Sequence, residues 1–157
     1  MYDLNHDLLD ALKATPETLA GLLEGINSPQ AQSARGGDEN WSVVEVVCHL
    51  RDAEEFFIKR VQAMCDENNP VIAGYNQESL ARERNYQAAD LQIALSGFFN
   101  FRKQTITVFS KLTAEQWQRR GMHSDLGQIT IFAMTIHHVC HDAIHCAQIA
   151  RQLIKGV

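Results

Sequence analysis

The chain has 157 residues, of which 45% are hydrophobic and 21% charged, the proportions of one folded domain spanning 1–157 rather than of a disordered segment. Its formal net charge of −5 argues against surfaces read through phosphate, so neither nucleic acid nor an anionic membrane is expected as a partner. No apolar run reaches the roughly 18 residues of a membrane-spanning helix, and Asp3, Asp7 and Asp10 stand where a secretory leader carries basic residues, which predicts a cytoplasmic protein.

Leu4, Leu8, Leu12, Leu19, Leu22, Leu23 and Ile26 recur at helical period and predict a first helix. Thr15-Pro16 interrupts the pattern, so the spacing predicts one kinked helix or two short ones. Residues 27–40, with Asn, Ser, Pro and two Gly, read as a loop. Ser42 and Glu45 form a capping box, with Trp41 in the preceding staple position. The helix they start carries Val43, Val46, Val47, Leu50, Phe57, Val61 and Met64 on one face and should stop before Asn68-Asn69-Pro70. Residues 70–86 read as a loop with a short helix near Glu78–Arg84. A third long helix is predicted from Ala88 to Lys111, with Leu91, Leu95, Phe98, Phe99, Ile106 and Phe109 as its apolar stripe. Thr113 and Gln116 make a second capping box for one or two turns carrying Trp117, and 121–127 is a connector. The last helix runs from Gln128 or Thr130 to Ile154, with Ile129, Ile136, Ala143, Ala147 and Ile154 as its core face. No stretch of alternating polarity predicts a strand. Four long helices in a chain of this size predict an all-α fold, a four-helix bundle.

His137, His138, His141 and His145 fall within one short stretch of the last helix. His141 and His145, four residues apart, present two imidazoles about one turn apart, a spacing that lets both reach one metal ion. His49, beside the apolar face of the second helix, is the candidate third ligand, because facing helices build metal sites in the interior of a bundle. His6 and His123 have no partner at ligand spacing and read as surface residues. Cys48, Cys65, Cys140 and Cys146 form no C-x-x-C pair and read as reduced, mostly buried thiols.

Trp41-Ser42-x-x-Glu45-x-x-x-His49-Leu50, then Gly127-x-x-Thr130, then His141-x-x-x-His145-x-x-Gln148-Ile149 resemble the DinB-like (DinB/YfiT) superfamily across essentially the whole chain. The resemblance implies an up-down-down-up bundle and a divalent metal held by three histidines, which map by motif onto His49, His141 and His145. It also implies frequent homodimers, and thiol transfer that uses a low-molecular-weight thiol such as bacillithiol, mycothiol or glutathione. Broad apolar faces on the first and third helices would serve such a dimer.

Three neutral imidazoles leave a coordination position open, the catalytic arrangement, and all-nitrogen ligation suits Zn2+, Ni2+ or Fe2+, with zinc or nickel the expected occupant. Glu45 is a helix cap and also a candidate base. Gln148 and His138 are candidates to support the ligands by hydrogen bonding, Asp142 is a supporting or surface residue, and Cys48 and Cys140 read as small buried residues. Phe56, Tyr75, Tyr86 and Phe98 are candidate pocket walls for a small-molecule substrate. The expected function is a metal-dependent thiol S-transferase or hydrolase; the alternative is a non-catalytic metal-binding stress or interaction protein.

Overall fold

A computed structural model describes residues 3–37 and 40–155. Helix α1 spans Leu4–Leu22, capped by the Asp3 carboxylate on the Asn5 amide, and carries Pro16 inside it, so the predicted interruption leaves one helix. Proline has no N–H to offer the carbonyl four residues back. That carbonyl, of Leu12, instead accepts from the buried Arg102 guanidinium at 2.8 Å.

Residues 27–40 contain structure that the sequence reading missed. Asn27 and Gln30 form a capping box that starts α2 (Ser28–Ser33), and β1 (Arg35–Gly36) pairs antiparallel with β2 (Trp41–Ser42). Helix α3 (Val43–Asp66) begins at the Ser42/Glu45 box as predicted. A short α4 (Gln77–Glu83) lies close to its predicted place, and a 3-10 turn (Tyr86–Ala88) precedes α5 (Leu91–Phe109). Thr113 and Gln116 cap α6 (Ala114–Trp117). The expected connector is in fact a hairpin: β4 (Arg120–His123) pairs antiparallel with β5 (Gly127–Thr130) and parallel with β3 (Val71–Ile72). Strands of two to four residues are too short to show alternation. Helix α7 (Ile131–Lys155) completes the chain.

The long helices are α1, α3, α5 and α7. Arg102 of α5 meets Glu54 of α3, and Phe109 stacks on Phe57 further along both helices, so α3 and α5 run parallel. His141 meets His49 while His138 meets Glu54, so α7 runs antiparallel to α3. Helix α1 lies against α7 and α5. The topology is the up-down-down-up four-helix bundle.

The interior is not uniformly apolar. One cluster packs Leu19, Leu23, Val43, Val47, Leu95, Phe98 and Ile149; a second packs Leu12, Phe57, Val61, Met64, Phe109 and Ile131. Between them lies a fully buried ionic layer. Arg102 donates to Glu54 Oε2 at 2.7 Å and to Asp142 Oδ2 at 2.6 Å, Thr105 Oγ1 donates to Glu54 Oε1, and Thr15 Oγ1 donates to Asp142. Buried charge is tolerated only when paired and hydrogen-bonded in this way.

This layer reverses the predicted orientation of α7. Its buried face is Ile131, Met134, Thr135, His138, Asp142, Cys146, Ile149 and Gln152, whereas Ile136, Ala143, Ala147 and Ile154 are exposed. The polar side chains point inward because their partners are there; Ile136, Ile144 and Ile154 fall on the outside. The apolar stripes of α1 and α5, expected to serve a dimer, instead face the core through Leu12, Leu19, Leu91, Leu95 and Phe98.

Candidate metal centre

His49 sits two turns into α3, held in register by the capping box that fixes where that helix starts. His141 and His145 project from successive turns of α7, whose antiparallel run brings them opposite His49. The three ring centroids lie 4.5–4.9 Å apart, and one ligating nitrogen from each falls within 4.8 Å of the other two. His49 Nε2 and His141 Nε2 are 2.8 Å apart, so without an ion one must donate to the other. His145 Nδ1 lies 2.8 Å from Gln148 Oε1, which selects the tautomer protonated at Nδ1 and places the lone pair on Nε2. Trp41 packs its ring 5.1 Å from the His49 ring and restricts that imidazole.

Burial pushes His49 down to about 3 and His141 down to about 2, with the neighbouring histidines adding repulsion. Both are therefore neutral at physiological pH, which is the ligating form. This donor set fits a divalent cation: three convergent imidazole nitrogens, with no carboxylate or thiolate grouped with them among the described residues.

His138 does not join the triad. It is buried, its Nε2 lies 2.7 Å from Glu54 Oε2, and its ring stacks on Phe57 at 3.9 Å. Burial alone would raise the Glu54 carboxyl, but the His138 hydrogen bond and charge, together with Arg102, hold it down at about 2. Asp142 is likewise a core residue, paired to Arg102. Glu45 is found in its cap: Oε2 accepts from the Ser42 amide at 2.8 Å and from Arg35 at 2.9 Å, on the wall of a separate cavity.

Other expectations need correction. Cys48 and Cys146 are buried but Cys140 is exposed, because its position on α7 falls on the outer face with Ile136 and Ala143. His6 is exposed as expected, whereas the His123 side chain is only 11% accessible, folded inward by the unforeseen hairpin. Of the candidate pocket walls, Tyr75 lines the site cavity and Phe56 stacks behind it at 4.5 Å. Tyr86 instead donates to the buried Asp52, and Phe98 lies in the core beneath Arg102.

The cavity beside the triad holds about 240 Å³. Its floor is α3, its opposite wall is α7 with Met134, His137, His138 and His141, and its roof is the β3–α4 segment with the β4–β5 hairpin. Gly74 in the roof packs closely on the hairpin: a Cβ there would stand 2.6 Å from Asp125 Oδ2 and 2.9 Å from Ser124 Oγ, so those side chains would have to move. Arg60, Gly74 and Asp125 had no motif to announce them; only the packing of loops over the helices gathers them.

The chain is similar in sequence to proteins each named "putative metal-dependent hydrolase". One is from Oceanobacillus iheyensis, 24% identical over 145 residues that cover 92% of this chain and 83% of the relative. Another, YfiT of Bacillus subtilis, is 22% identical over 149 residues with the same coverages. The solved structure of YfiT, described as a probable metal-dependent hydrolase with an unusual four-helix bundle topology, superposes with a TM-score of 0.81 at 21% identity, covering 96% of this chain and 89% of that one. The family model for the DinB superfamily matches residues 11–149, a span that contains His49, His141, His145 and both core clusters, and the chain therefore belongs to the DinB superfamily.

Proposed function

We propose that the chain is a metal-dependent enzyme, a hydrolase or a thiol S-transferase, that acts on a small molecule. His49, His141 and His145 hold the cation, Zn2+ or Ni2+. The carrying observation is the convergence of three imidazoles beside a cavity that His49 and His141 line, with no fourth protein ligand among the described residues. A divalent cation in such a site supplies electrophilic activation of water or of a thiol at neutral pH. The chain's own residues do the rest: Gln148 fixes the His145 tautomer, Trp41 braces His49, and Glu54 anchors His138 in the cavity wall. Phe57 and Met134 line the cavity beside the triad as its apolar surface.

The names of the relatives support hydrolysis; the family resemblance supports a low-molecular-weight thiol as cosubstrate. Unpaired cysteines at Cys48, Cys65, Cys140 and Cys146 support a reducing, cytoplasmic setting. The alternative, a metal-binding protein without turnover, makes the same metal prediction and differs in the second step of the test. Elemental analysis of untagged protein should find about one equivalent of Zn2+ or Ni2+, released as pH falls and the imidazoles protonate. His141→Ala and His145→Ala should each abolish tight binding and His6→Ala should not; retention by all three would sink the assignment. Ester and thiol–electrophile panels on the loaded protein then decide turnover, with His49→Ala expected to remove it while helical circular dichroism persists. Metal binding without turnover on either panel favours the non-catalytic reading.

A further inference from the structure

The cavity beside the histidines is elongated, and its far end differs chemically from its near end. His49, Ala53, Phe57 and Arg60 lie at successive turns of one face of α3 and all line it. On α7, His141, His138 and Met134 follow in the opposite sense. Arg60 is thus the far terminus, about 16 Å along the helix from His49 at the α-carbons.

Arg60 is half-buried and makes no ion pair among the described residues, whereas Arg35, Arg51, Arg84 and Arg102 all do. It is held in place without being neutralised. Nη2 donates to Ala73 O at 2.7 Å and the guanidinium lies over the Tyr75 ring at 5.8 Å. A guanidinium has five donors in a rigid fork, and Ala73 accepts from only one nitrogen. Asp125 is the one carboxylate in the lining; its side chain is 72% exposed at the mouth and does not reach Arg60 at ion-pair distance. Between the two ends the floor is apolar at Ala53 and Phe57, the α7 wall runs from His138 to Met134, and a second cavity of about 240 Å³ continues past Arg60 along Leu126 and Ile129.

Resting on the metal reading above, we propose that the cavity is built for an anionic substrate: a small molecule that places its reacting group at the three histidines and a carboxylate or phosphate on Arg60, with an apolar stretch between. Arg60 then determines substrate class without taking part in bond changes.

The test measures binding, by calorimetry on the zinc-loaded full chain. The probes are hydroxamates, which chelate the metal, carried on aliphatic chains of succinic to suberic length and ending in carboxylate, phosphonate or methyl ester. In the wild type the longer acid-ended probes should bind roughly tenfold tighter than their methyl esters. Arg60→Gln should erase that advantage and leave the ester affinities unchanged; Arg60→Lys, which keeps the charge and loses the fork, should retain part of it. A preference for carboxylate or for phosphonate tells which anion the site takes. Equal affinity of acids and esters in the wild type, or an advantage that survives Arg60→Gln, overturns the proposal. If no hydroxamate binds, the metal reading has failed, and adipate titrated into metal-free protein decides the subsite alone. A saturable shift of the Arg60 side-chain N–H resonance in nitrogen-15 spectra supports it, and no shift overturns it.

Discussion

Arg102→Met should cost far more stability than its place in an apolar helical stripe suggests. The guanidinium is fully buried and satisfies Glu54, Asp142 and the Leu12 carbonyl together. Methionine fills most of the space and supplies no donor. Removing one partner from a buried ionic cluster leaves uncompensated charge, about 3–5 kcal/mol. Losing the donor to Leu12 O adds about 1 kcal/mol, since Pro16 has no N–H to replace it. At about 2–4 °C per kcal/mol for a chain of this size, the melting temperature should fall by about 10–20 °C. Urea denaturation followed by helical circular dichroism checks this, with an unchanged slope expected if only stability moves. The pH dependence has a defined sign. Glu54 is held at about 2 in the fold against 4.5 ordinarily, so it contributes on the order of 3 kcal/mol above pH 5 or so, lost as pH falls toward 2. In the variant the loss should be smaller at pH 4 than at pH 7, because protonation relieves the charge left behind. A loss below about 1.5 kcal/mol at pH 7 would refute the view that this layer is held by its ion pairs.

Gln148→Leu should weaken metal affinity by about 10–100-fold while leaving the melting temperature of the metal-free protein nearly unchanged, because Gln148 acts through the His145 tautomer; competition with a chromophoric chelator measures it. Glu45→Gln should leave turnover and fold intact, since glutamine closes the same capping box and loses only the charge opposite the half-exposed Arg35, a cost of at most about 1 kcal/mol. A large rate loss at unchanged stability would instead make Glu45 a base. The exposed stripe of Ile136, Ala143, Ile144, Ala147 and Ile154 on α7 supports a homodimer. Light scattering should give twice the monomer mass, shifting toward monomer in Ile144→Lys; a wild-type monomer across micromolar concentrations would remove the idea.

Three features were legible in the chain itself because each is local. Capping boxes at Ser42/Glu45 and Thr113/Gln116 mark helix starts, since a side chain and an amide three residues apart satisfy each other without help from the rest of the fold. Leucine and valine stripes mark the long helices, since burial follows their period. The His141/His145 pair marks a two-nitrogen donor because one helical turn separates them. With His49 placed by motif, the triad was legible too.

What depended on distant partners was not. Helical period alone assigned the core face of α7 to its isoleucines, because on average apolar side chains are the ones buried. Only the arrival of Arg102 from α5 and Glu54 from α3 makes it cheaper to bury Asp142 and His138 and leave Ile136 and Ile154 outside. Pro16 read as a kink in one helix or a break between two, and what keeps α1 whole is that the carbonyl it frees is satisfied by a residue 90 positions away. The roof of the cavity and Arg60 at its far end follow from β3 pairing with β4 across a long stretch of chain. A helix start or a helical face is decided within a few residues, whereas a buried charge, an inverted face and a cavity wall exist only once the helices and loops that complete them have come together.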